Sequence, residues 1–249
     1  MDRIVYTAMT GAARVLEQQS VISNNLANVS TAGFREQLSA YRSVPLVASE
    51  GLPTRVTTVA STPSSNFRQG GMLQTGRALD VAVTGPGWFS VQTPTGEAYT
   101  RGGELAVNAR GQLVSPQGLP VLAANGAPVT VPDRGTLTFG ADGAITVLGA
   151  GSSPKDIEVI GQLKLVNPPP ASLERSGDGL FRMAPGQAPV AQADPAVRMV
   201  SGFVEKSNVS AAQAMVGMIS NARDFEMQMK VIQDASTNED KGNSILSVG

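Results

Sequence analysis

The sequence predicts an α+β chain with long N- and C-terminal helices paired in a coiled-coil-like domain, an extended connector, and a central all-β domain of short hairpins. Three observations predict it. Near each terminus, apolar or small residues recur at alternating steps of three and four, the period of a helical seam. The middle consists of short alternating runs punctuated by glycine, which is how hairpins read. Composition agrees: among 249 residues there are 27 Gly and 16 Pro, aromatics are 4% and charged residues only 16%. Charge well below the usual quarter, with raised Gly and Pro, points to many turns and a core thin in aromatic rings.

The first segment, 1–34, carries its seam at Ile4, Ala8, Ala12, Val15, Ile22, Leu26 and Val29, with Gln19 in the one polar slot. Arg14, Glu17, Gln18 and Asn24 fall on the opposite face. Gly11 is its weak point, since glycine is costly inside a helix. The stretch "NNLANVSTAGF", 24–34, closes the segment. Gly33 is expected in the left-handed position after the last turn, with Phe34 packing back on Val29, a Schellman stop. Asn24, Asn25 and Asn28 then sit in the last two turns, where asparagine lowers helix stability. Each amide offers two donors and an acceptor, so it is either a solvated or capping group or an uncharged contact to a neighbouring chain.

Residues 35–70 are rich in Ser, Thr, Pro and scattered Arg without a sustained period, which reads as an extended connector with short strands around "TRVTTVA". From 71 to 205 come runs such as "LDVAVTG", "GWFSVQTPTGEAYTR" and "TLTFGADGAITVL". Gly96, Gly111, Gly126 and Gly143 mark turns that demand positive φ. "NPPPASLERSGDG" reads as the longest irregular loop. The last segment, 206–249, repeats the helical seam at Ala211, Met215, Met218, Ala222, Phe225, Met229 and Ile232. Val216 and Ile219 widen it beyond what one partner helix covers, and flexible Met side chains suit either core filling or several partners. Two termini with matching seams most simply pair with each other. A lone helix pair buries little surface against the entropy of ordering it, so these ends are expected to gain order from neighbouring subunits.

Several function classes fall away. Net charge is −1, so no basic field exists to hold nucleic acid. The chain has no His and no Cys, which removes the commonest general base, thiol nucleophiles and most zinc sites; no metal or cofactor is expected. The N-terminus lacks the basic and apolar regions of a signal peptide, and no run reaches the length of a membrane span.

Three motifs in order carry a resemblance. They are "NNLAN...T.GF" at 24–34, "QGGMLQTGRALDVAVTGPGWF" opening the β region, and "GFVEKSNVSAAQAMVGMISNARDFEMQMKVIQ" at 202–233. Over nearly its whole length the chain resembles the flagellar rod and hook axial proteins. The opening "MDRIVYTAMTGA" is most similar to the proximal-rod members, and Val204 stands where the family phrase has Leu. The resemblance implies a structural subunit of the bacterial flagellar basal-body rod that self-assembles into a helical axial tube and transmits torque across the periplasm. A distal rod subunit is the alternative within the family. It further implies export through the flagellar type III apparatus without a cleaved signal peptide, and other rod proteins as partners, the distal rod protein above all. Segments 1–34 and 206–249 would form the inner tube domain, 71–205 an outer domain. Subunit-interface residues are then expected at Ile4, Ala8, Val15, Ile22, Asn24, Asn25, Leu26, Asn28, Val29, Gly33 and Phe34. On the C-terminal helix they are Met215, Met218, Phe225, Met229 and Ile232.

Two rival readings are enzymatic or sugar-binding. A periplasmic cell-wall hydrolase would use paired carboxylates drawn from Asp80, Glu97, Glu104, Asp133 and Asp142, although each reads as a turn or surface residue. A carbohydrate-binding module would use Trp88, Phe89 and Tyr99 as a stacking platform, although a lone Trp in an alternating strand is more often core.

Overall fold

The structure, a computed structural model, describes residues 2–39, 41–45, 56–60, 64–132, 135–148 and 157–247. Helix α1 spans Asp2–Ala27 and helix α2 spans Ala211–Ser247, with short strands between them, none described as longer than six residues. The α+β class read from the sequence is therefore observed. The chain divides into a helical unit, Met1–Asn28 with Gln37–Asn66 and Val209–Gly249, and a β unit, Val29–Glu36 with Phe67–Asn208.

Within the helical unit α1 and α2 run antiparallel. Gly11 lies opposite Gln228 and Gly217 opposite Ile22: a Cβ on Gly11 would come within 3.0 Å of the Gln228 side chain, and one on Gly217 within 3.3 Å of Ile22 Cδ1. The glycine that weakens α1 thus permits close helix approach. Asn221 Nδ2 donates to the Val15 carbonyl at 3.4 Å. On α1 the covered stripe follows the predicted seam, with Ala8 and Ala12 buried and Val15, Gln19, Ile22 and Leu26 half-buried. The Ile4 side chain lies outside the described residues.

The seam of α2 departs from the expected one. Its covered stripe is Ala211, Ala214, Gly217, Met218, Asn221, Phe225, Gln228 and Ile232, while Met215, Ala222 and Met229 face outward. Gly217 and Asn221 enter the stripe because a missing side chain and an amide admit the neighbouring helix closely, between the expected Met218, Phe225 and Ile232. The stretch read as an extended connector with short strands around "TRVTTVA" does hold a strand there, Val56–Ala60 paired with Tyr41–Pro45, and a second antiparallel ladder, Gln37–Leu38 with Ser64–Ser65.

The predicted helix stop is also corrected. Helix α1 ends at Ala27, short of the Thr31 region. Asn28 donates its backbone N–H to the Asn24 and Asn25 carbonyls, and its Nδ2 folds back onto the Asn24 carbonyl at 2.9 Å. A side-chain donor that takes a carbonyl of the last turn competes with continuing the helix. Gly33 does adopt positive φ, +70°, but in the β unit, and its N–H donates to the Glu205 carbonyl at 2.7 Å, so it is no Schellman C′ residue.

The β unit is built on a five-stranded antiparallel sheet in the order Leu165–Val166, Trp88–Thr93, Gly96–Thr100, Phe181–Met183, Leu173–Arg175. A three-stranded sheet, Thr136–Phe139, Ala144–Leu148 and Ile157–Gln162, lies in the same unit, with the ribbons Val81–Thr84/Arg198–Ser201 and Met72–Gln74/Phe203–Glu205. All four turn glycines read from the sequence have positive φ. The loop expected at "NPPPASLERSGDG" instead holds the 3-10 turn Pro170–Ser172 and the outer strand Leu173–Arg175. Its prolines remove backbone donors and mask the strand in the sequence. The aliphatic core contains Val81, Val83, Phe89, Val91, Leu113 and Ile145. A second cluster gathers Trp88, Tyr99 and Phe181, with Phe67 against it; Trp88 and Phe181 stand 4.8 Å apart between ring centroids. Among the described residues no helix is long and apolar enough to cross a membrane.

Candidate functional site

The helical unit leaves a broad apolar face uncovered. On the half of α2 turned away from α1 lie Met215, Val216, Ile219, Met227, Met229 and Val231, with Val216 68% and Met227 59% exposed. On α1 the corresponding residues are Tyr6, Met9 and Leu16, Tyr6 being 76% exposed. Burying one such side chain is worth roughly 1.5–3 kcal/mol, and here they stand exposed among Arg223, Glu226 and Lys230.

The expected interface residues fall into different environments. Ala8 is buried against α2, and Val15, Ile22, Leu26 and Val29 are half-buried. Met218, Phe225 and Ile232 are half-buried too, while Met215 and Met229 belong to the exposed face. Asn24 is exposed and Asn28 half-buried. Asn25 is buried, and its amide holds the Gln37 backbone at both ends: Nδ2 donates to the Gln37 carbonyl at 2.9 Å and Oδ1 accepts the Gln37 N–H at 2.8 Å. That amide is satisfied inside its own chain. Gly33 and Phe34 are buried within the β unit, where the Arg175 guanidinium sits 4.4 Å from the Phe34 ring centroid.

A buried ionic node escaped the sequence reading. Glu205 is fully buried; its Oε1 accepts from Arg35 Nη1 at 2.5 Å and its Oε2 from Arg101 Nη1 at 3.2 Å. Arg101 also donates to the carbonyls of Val83 and Gly85. Arg35 and Arg101 both stack on Trp88, at 5.7 and 5.6 Å from the ring centroid. Burial pulls the Arg101 guanidinium down to about 10, a fall that Glu205 opposes and Arg35 adds to. Burial likewise brings Arg175 to about 10. Both remain cationic at neutral pH; Glu205 is the counter-charge for Arg101 and Arg35, while Arg175 donates to the Arg35 carbonyl. The available signal was a charge close behind a Gly-Phe pair in each of two phrases, "GFRE" and "GFVE".

The carboxylates of the hydrolase reading do other work. Asp80 pairs with Arg77 at 2.6 Å, Glu97 pairs with Lys164 at 2.8 Å, and Asp142 caps its own turn by accepting the Ala144 N–H at 3.1 Å. Glu104 is exposed and Asp133 lies outside the described residues. Trp88, Phe89 and Tyr99 are buried, so they offer no platform for a sugar; the Tyr99 hydroxyl accepts the Ala191 N–H at 2.7 Å.

Three family models match the chain in order. One described as flagella basal body rod protein matches residues 5–35, the flagellar hook protein FlgE/F/G D1 domain matches 82–147, and the flagellar basal body rod FlgEFG protein C-terminal matches 200–245. The chain is 47% identical over 253 residues to the flagellar basal-body rod protein FlgF of Escherichia coli (strain K12), covering all of both chains. The chain belongs to the FlgF family of flagellar basal-body rod proteins. FlgF of Salmonella typhimurium is 47% identical over the same span. FlgG of Bacillus subtilis, another basal-body rod protein, is 28% identical, with 93% of this chain and 94% of FlgG covered. Each of the three matched regions contributes one member of the ionic node: Arg35 from the first, Arg101 from the second and Glu205 from the third. The node thus joins parts of a rod protein that are distant along the chain.

Proposed function

We propose that this chain is a structural subunit of the proximal flagellar rod, self-assembling with neighbouring rod subunits through α1 and α2 into a helical tube that carries torque across the periplasm. The uncovered apolar half of α2 supports this reading most directly, because a single chain leaves that surface in water. Of the expected interface residues, Met215 and Met229 of α2 and the amides Asn24 and Asn28 would touch the neighbour directly, while Ala8, Val15, Ile22, Leu26, Met218, Phe225 and Ile232 would shape that surface from within the α1–α2 pair. Within segments 1–34 and 206–249 the helices α1 and α2 would supply the tube, while 29–36, 67–70 and 206–208 fold with the β-rich region 71–205. The proximal assignment is supported by 47% identity to FlgF against 28% to a FlgG. The distal rod protein is the expected partner.

Export without a cleaved signal peptide through the flagellar type III apparatus fits helices that complete their packing only on assembly. The reading assigns no reaction and no cofactor, in keeping with relatives named as rod proteins. The test introduces charge on the open face: Val216→Glu with Ile219→Glu is expected to abolish motility and rod assembly while the monomer keeps its unfolding transition. Motile cells with intact basal bodies carrying both changes would overturn the reading.

A further inference from the structure

The chain enters or leaves the β unit beside residues 29, 36, 67 and 208. Inside that unit the three segments next to these points are bonded together. The Glu205 carbonyl accepts the Gly33 N–H at 2.7 Å, and Glu205 Oε1 accepts the Gly70 N–H at 2.8 Å as well as Arg35 Nη1. The Lys206 N–H donates to the Gly71 carbonyl at 2.8 Å. Asn208 repeats the pattern with an uncharged group: its Oδ1 accepts the Glu36 N–H at 2.7 Å, and its Nδ2 donates to the Arg68 carbonyl at 2.8 Å. Glu205 and Asn208 each therefore bridge both other segments.

Backbones meet here with no room to spare. A Cβ on Gly33 would lie 2.2 Å from the Arg101 carbonyl carbon, and one on Gly70 would lie 2.0 Å from the Lys206 carbonyl oxygen. Both carboxylate oxygens of Glu205 are engaged, and Arg35 and Glu205 are both fully buried.

We propose that Glu205 and Asn208 form a clasp that fastens residues 29–36 to the β unit in the free subunit, before any assembly, with the Arg35 guanidinium as its charge-matched key. The inference rests on the β unit alone and stands whether or not the rod reading holds. Its charge logic is asymmetric. Removing Arg35 leaves Arg101 and Glu205 as a neutral buried pair, so the strap is released and the body is spared. Neutralising Glu205 leaves two buried guanidiniums without a counter-charge, so strap and body both suffer.

Amide hydrogen exchange on the full-length monomer tests this. In the natural protein, Gly33, Glu36 and Gly70 should be protected like the strand Trp88–Thr93. Arg35→Met should speed exchange at 33–36 by at least about tenfold and leave 88–93 unchanged. Glu205→Gln should speed exchange at 33–36 and 68–71 together by about 100-fold or more. Asn208→Ala should act at Glu36 with a smaller effect than Arg35→Met. The proposal is overturned if 33–36 exchange as fast as an unfolded peptide in the natural protein. It is equally overturned if Glu205→Gln, which keeps an acceptor for Gly70, is no more disruptive than Arg35→Met. Should Glu205→Gln not fold, Arg35→Met and Asn208→Ala decide alone: unchanged exchange at 33–36 in both overturns the clasp.

Discussion

The helical unit and the β unit solve burial in opposite ways. Where α1 meets α2, Gly11, Gly217, Ala8, Ala12 and the amides of Asn221 and Gln228 share the contact with Met218, Phe225 and Ile232, while Met215, Val216, Ile219, Met227, Met229 and Val231 of α2 point outward. In the β unit even Arg35, Arg101 and Glu205 are enclosed, each held by charge or backbone partners. The contrast is between large apolar side chains left exposed along one helix and charged side chains enclosed in the β unit. In that sense the β unit is the more complete body, whereas the helical unit keeps Val216 and Met227 in water, the surface that the proposed assembly would cover.

The largest expected effect breaks the complete side of that contrast. Gly33→Val combines a positive φ with a Cβ 2.2 Å from backbone, and should cost about 4 kcal/mol or more, read as a large fall in the thermal midpoint of the β unit. Trp88→Ala follows at about 3–5 kcal/mol, since it opens a cavity and removes the ring on which Arg35 and Arg101 stack. Tyr99→Phe is smaller, about 1 kcal/mol, from the lost acceptor for the Ala191 N–H. Burial raises the Tyr99 hydroxyl above its usual 10, so its contribution is present below pH 10 and is lost as pH rises through the folded value. Alkaline unfolding of the Phe variant should accordingly be less steep. On the unfinished side, Val216→Ser with Ile219→Ser should change monomer stability by no more than about 0.5 kcal/mol, measured by denaturant unfolding, yet still impair assembly. A large loss of monomer stability there would erase the distinction between the two units.

Much of this organisation is legible in local pattern. The α1 seam and the turn glycines are visible because periodicity and positive φ act over a few residues. The covered stripe of α2 is legible only in part: Ala211, Met218, Phe225 and Ile232 lie where expected, but counting apolar residues favours Met215 and Met229 over Gly217 and Asn221, and only the approach of a second backbone reverses that choice. The end of α1 is misread for a related reason: Asn28 closes the helix with its own side chain before Gly33 can. Arg35 and Glu205 lie 170 residues apart, so no window along the chain brings them together. Asn25 was recognisable as an unusual helical residue, but its partner, the Gln37 backbone, has no side-chain signature at all.

The weave of residues 29–36 into the β unit sets where this protein can be recombined with its relatives. A chimera that takes its β body from another rod protein by a single exchange between 67 and 208 would bring a foreign Glu205 and Arg101 to a native Arg35 and Gly33. Crossovers are compatible only when 29–36 travels with 67–208, two separate stretches exchanged as one, while 37–66 stays behind with the helices. In this fold the unit of inheritance is discontinuous, and the short piece that makes it so is only eight residues long.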